Sequence, residues 1–177
     1  MIFTIRRINM LFRKRKQEEK PATKEVKSAN TPAASNDSEK TDETDLDLGD
    51  MIKACDYYAG TENESFLVKL LADCLYDGSN GIAQDLDMAW SYYERLSNLD
   101  KAAGFLGMGK TDIMISLERN DSFRFSLGIN RVYKAYKLGN QDAVEILAVT
   151  AESGMFENIS TLEEMIKFCE ECNDVKM

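Results

Sequence analysis

The sequence predicts an all-α domain, a short solenoid of about two antiparallel helix pairs with a capping helix, behind a disordered N-terminal arm. Three observations predict it. After Asp50 the apolar residues recur at helical spacing. No proline follows Pro32, so long helices run uninterrupted. The chain also matches itself at an offset of 39 residues, as stacked helix pairs require. That offset lays Phe66 on Phe105, Leu67 on Leu106, Leu75 on Met114 and Tyr76 on Ile115. It further lays Leu86 on Phe125, Met88 on Leu127, Arg95 on Lys134 and Leu99 on Leu138, and one step on, Met108 on Leu147.

Each element has a local reason. Ile52, Cys55 and Tyr58 or Ala59 give a first helix over 51–58 that stops at Gly60. Thr61-Glu-Asn-Glu64 has the spacing of a capping box, and Phe66, Leu67, Leu70, Leu71, Cys74 and Leu75 form the apolar stripe of the helix it opens. Gly78-Ser-Asn-Gly81 supplies residues that tolerate positive φ, so the chain can reverse. Asp85 caps the next helix, where Leu86, Ala89, Trp90, Tyr93 and Leu96 recur on one side. Ala102, Ala103 and Gly104 then begin a helix with small residues at its packing face. The stretch 118–122 reads as a loop with Asn120 or Asp121 capping, and the following helix, over 123–138, ends at Gly139. Ala143 and Leu147 sit on the helix after that. Ser160-Thr-Leu-Glu163 has capping-box spacing again, ahead of a last helix whose Leu162, Met165, Ile166 and Cys169, with Cys172 at the end, share one face. Such a helix suits the end of a solenoid, where apolar surface must be covered.

The segment Tyr76-Asp-Gly-Ser-Asn-Gly-Ile-Ala-Gln-Asp-Leu-Asp-Met-Ala-Trp-Ser-Tyr-Tyr-Glu-Arg95 joins a helix end, a glycine-rich turn and an Ala-x-x-Tyr-Tyr-x-Arg face. In this it resembles the Sel-one-like repeat, a relative of the tetratricopeptide repeat. The segment from Lys134 to Leu147, with Gly139 as terminator, is similar to the same pattern. Two departures stand out: Asp100 occupies a position where the family has glycine, and 118–122 replaces a glycine-rich turn. The resemblance implies a non-catalytic interaction module, an adaptor or scaffold whose helices present a groove to a protein or peptide partner. It implies that Trp90, Tyr92, Arg95, Arg131 and Lys134 lie near the inner or rim surface and grip that partner. For Trp90, Tyr92 and Tyr93 the alternative is plain helix packing.

Charge divides the chain into three parts. Residues 1–16 are basic and amphipathic, with Ile2, Phe3, Ile5, Ile8, Leu11 and Phe12 interleaved among Arg6, Arg7 and the run 13–16. Residues 17–50 are polar, hold both prolines and no aromatic residue, and read as a disordered linker. Residues 51–177 are the helical domain. The total of −9 includes +5 over residues 1–20 and −5 over 21–50, leaving −9 on the rest. An acidic domain repels phosphate backbones, so no nucleic-acid partner is expected. No run approaches the roughly 18 apolar residues that span a bilayer, and Arg6 and Arg7 interrupt any signal-peptide core. The chain is therefore expected to be cytoplasmic. A second functional reading is a membrane-surface accessory protein, localised by peripheral contact through residues 1–16.

Little in the sequence offers chemistry. There is no histidine, the commonest general base and zinc ligand. Cys169-Glu-Glu-Cys172 is a lone pair without two further ligands at zinc spacing, and core cysteine is the simpler reading. Gly104-Phe-Leu-Gly-Met-Gly-Lys-Thr111 has the spacing of a phosphate-binding loop, but it falls mid-helix with no strand before it. Asp85 with Asp87, and Glu163 with Glu164, stand at helix starts, where the dipole favours acids. The expectation is no catalytic residue, cofactor or metal.

Overall fold

The computed structural model describes residues 47–174. Residues 1–16, read as a basic amphipathic segment, and the linker over 17–50 up to residue 46 lie outside the described residues. The described residues form seven α-helices and no strand: α1 (Leu48–Tyr57), α2 (Glu64–Asp77), α3 (Leu86–Leu99), α4 (Lys101–Arg119), α5 (Ser122–Lys137), α6 (Gln141–Glu152) and α7 (Leu162–Asp174). No helix among the described residues is long and apolar enough to cross a membrane.

The boundaries follow from caps. Asp47 accepts the Gly49 N–H at 3.3 Å and opens α1 three residues earlier than expected, which draws Leu48 out of the linker and against the core. Asp85 accepts the Met88 N–H at 2.8 Å and Asp121 that of Arg124 at 3.0 Å, as their positions in the sequence imply. Asp100, the departure from the repeat pattern, is the only residue between α3 and α4; it closes the first and caps the second through the Ala103 N–H at 3.0 Å. Gly78, Asn80 and Gly81 all take positive φ in the turn between α2 and α3.

Neither capping box pairs as its spacing implies. Thr61 donates its hydroxyl to the Tyr58 carbonyl, so Glu64 reaches past it to the Gly60 N–H at 2.6 Å. At the last helix the box is Thr161 with Glu164, because α7 begins at Leu162 and places Glu164, not Glu163, at the third position.

Packing runs between chain neighbours: α2 on α3, α3 on α4 and α4 on α5 most extensively, with a smaller contact between α5 and α7. Small residues on α4 set the closest approaches. A Cβ on Gly104 would lie 2.4 Å from the Ser97 backbone, and one on Gly107 would enter the Tyr93 ring. Since 104 meets 97 and 107 meets 93, α3 and α4 run antiparallel. On its other side α4 brings Gly109 against Gly128 and Val132 of α5.

The core falls into two clusters that α4 bridges. Val68, Leu71, Leu75, Ala89 and Leu96 form the first with Met108 and Ile115 of α4. Ile129, Val132, Leu147 and Met165 form the second with Ile113 of α4. Phe66 is 67% exposed and so leaves the stripe expected of it: Val68, Leu71, Ala72 and Leu75 hold the buried face, and two residues along a helix is about 200° of rotation. Leu99 is 44% exposed, because it lies a turn beyond Arg95, which already meets the first residue of α2. Its counterpart Leu138 is likewise exposed. Cys172, at the end of the α7 face, is exposed while Cys169 is buried.

Candidate functional site

Asp112 is the organising group of the candidate site. It sits on α4 three residues after Gly109 and is 2% exposed. An isolated buried carboxylate would be costly, so it must be paired. Arg124 donates Nε to Oδ1 at 2.9 Å, and the Arg131 guanidinium pairs with Oδ2. The two arginines lie seven residues apart on α5, about two turns. Gly128 lies between them, and its missing side chain leaves the room that Asp112 fills: a Cβ there would stand 3.0 Å from the Asp112 Cβ.

Above this floor is an open groove of about 330 Å³. Trp90 of α3 lines it, with the Arg131 guanidinium 5.2 Å over its ring. Phe123 and Leu127, one turn apart on α5, line it as well, and Phe123 is 78% exposed. Asp121 and Arg124 also line it, and Arg119 reaches Asp87 nearby at 3.0 Å. The Trp90 Nε1–H is buried without a hydrogen-bond acceptor.

The five residues expected to grip a partner fall in three places. Trp90 and Arg131 come together in this groove. Arg95 lies elsewhere and is engaged internally, donating to Glu64 Oε1 at 2.8 and 3.1 Å, to Asp56 at 3.2 Å and to the Cys55 carbonyl at 3.1 Å. It thus clasps the end of α1 and the start of α2 to α3. The Gly60 N–H and then Arg95 hold the Glu64 carboxyl below its ordinary range. Tyr92 is half-buried beside this clasp, its hydroxyl pKa raised first by burial and then by the nearby Cys55 and Asp56. Lys134 is exposed, with its ammonium 5.9 Å over the Phe105 ring. The sequence reading missed Asp112, Phe123, Arg124 and Leu127 as site residues. An acid at a packing position three residues from Gly109, with arginines at heptad spacing, was the available signal.

The glycine-rich run 104–111 lies wholly inside α4, so its amides serve the helix and do not cradle a phosphate. Thr111 donates its hydroxyl back to the Gly107 carbonyl at 2.8 Å. Lys110 lies 4.8 Å over the Tyr76 ring, and burial lowers its pKa against the pull of Asp73 and Asp77. Burial also pushes the Cys169 thiol up to about 12. Among the described residues no group of three or more side chains could hold a metal. No protein-family model, curated protein or solved structure matches this chain.

Proposed function

We propose that this chain is a non-catalytic protein–protein interaction module, built of helix pairs of the Sel-one-like kind, and that the groove over Asp112 receives the partner. The observation that carries the reading is that Phe123 and Leu127 line the same groove as Trp90 and are exposed. Fully burying such a side chain contributes about 1.5–3 kcal/mol, so leaving it in water is a standing cost that a partner would remove.

Helix positions support the repeat. Shifted by 39 residues, α2 falls within α4 and α3 falls on 125–138, overlapping α5. Asp73 and Asp112 share that spacing, and each accepts from the helix that follows: Asp73 from the Tyr93 hydroxyl at 2.6 Å, Asp112 from α5.

The test is comparative capture from cells with the full chain and with a Phe123→Ser, Leu127→Ser variant. A partner held by the first and released by the second, and rebound when purified, is the expected result. Identical partners on both would overturn the groove assignment. The second reading, membrane-surface localisation, is favoured by the interleaved apolar and basic residues of 1–16. Flotation of the full chain with anionic vesicles, lost on removal of residues 1–16, would establish it.

A further inference from the structure

We infer that the partner is a segment whose apolar side chains are flanked by lysine or arginine. This rests on the groove reading above and adds the partner's chemistry.

Arginines in a groove usually suggest an acidic or phosphorylated ligand, but here each guanidinium is already held by a carboxylate of this chain. Both Asp112 oxygens are engaged, one by Arg124 and one by Arg131. Arg131 further stacks on Trp90, and Arg119 and Arg124 share Asp87 at 3.0 and 4.0 Å. An incoming anion that drew Arg124 or Arg131 away would leave one oxygen of a carboxylate that is 2% exposed without its partner. What the groove offers freely is apolar: Phe123 and Leu127, beside a half-buried Trp90 ring that Arg131 partly covers. At the α4–α5 turn beside it, Glu118 and Asp121 are exposed. Residues 51–177 together carry −9. That field attracts cationic partners and opposes pairing between the helical domains of two copies.

The experiment titrates the full chain with two labelled synthetic helices of about 18 residues, roughly 27 Å long. Each has leucine on one face; one carries lysine and the other glutamate on the opposite face. The lysine peptide is expected to bind at least about tenfold more tightly, to weaken as salt rises, and to lose about tenfold or more on Phe123→Ser with Leu127→Ser. These serines leave the charge unchanged, and an unchanged melting temperature would show the fold intact. Tighter binding of the glutamate peptide, abolished by the same serines, would overturn the inference while leaving the groove reading standing. Lysine-peptide binding indifferent to the serines would overturn both, as would no binding by either peptide. A dimer in sedimentation that the serines disperse would overturn the inference in favour of a second copy.

Discussion

Gly109 on α4 and Gly128 on α5 meet backbone to backbone: a Cβ on the first would lie 2.8 Å from the Gly128 carbonyl oxygen, and a Cβ on the second 2.9 Å from that of Gly109. This contact fixes the distance between the two helices and so the depth at which Asp112 meets its arginines. Helix propensity opposes it, since each glycine costs about 1 kcal/mol relative to alanine in a helix.

Alanine at Gly109 or Gly128 would recover that propensity yet push two backbones apart, and overpacking of this kind costs about 1–3 kcal/mol. Because neither backbone can yield as a side chain would, the net effect is destabilising. Urea denaturation should show lower midpoints for both variants. Gly49→Ala, in the first turn of α1, whose Cβ meets only the Asp47 carboxylate at 3.2 Å, should by contrast leave the midpoint unchanged or raise it.

Asp112→Ala strips two arginines of their shared anion, and breaking a buried pair on one side costs about 3–5 kcal/mol. Asp87→Ala removes only an exposed partner, for which about 0–1 kcal/mol is the ordinary range. A thermal melt comparing the two should separate them by many degrees. Equal melting temperatures would remove Asp112 from the centre of the site.

Acid should loosen two helix starts. Glu64 is held below its ordinary range by the Gly60 N–H and Arg95, and Glu164 by the Ser160 and Thr161 N–H groups. Their unfolded values lie near 4.3. A depressed folded value means the stabilisation is whole above that pH and is lost as pH falls through the folded pKa. Melting temperature should therefore decline below about pH 4. Glu64→Gln and Glu164→Gln should be less stable at neutral pH and lose less on acidification.

Thiol labelling of the native protein should modify Cys172 and spare Cys55, Cys74 and Cys169, which are buried. Burial holds Cys169 as a thiol up to about 12, so raising the pH to 9 should not bring it into reaction. Native-state labelling of Cys169 at the rate of Cys172 would mean that α7 detaches readily.

Much of the fold was legible because its causes are local. Asp85, Asp121 and Gly78 act within a few residues of themselves, so their spacing predicts what the chain does there. The stripe Leu86, Ala89, Tyr93, Leu96 is a property of one helix. The candidate site was read less well. Trp90 and Arg131 were named, but Arg95 was assigned to a partner when Glu64 and Asp56 already hold it. Those acids lie more than thirty residues away in sequence.

By itself the sequence determined, to within a few residues, where helices begin and end and which face of most of them is dry, since capping, glycine turns and apolar period act over one or two turns. Only the tertiary structure decided that Gly109 and Gly128 would touch, that Asp112 would be shared by Arg124 and Arg131, and that Phe123 would be left in water. Those outcomes depend on which helix lies against which and at what distance, and short-range pattern carries no record of either.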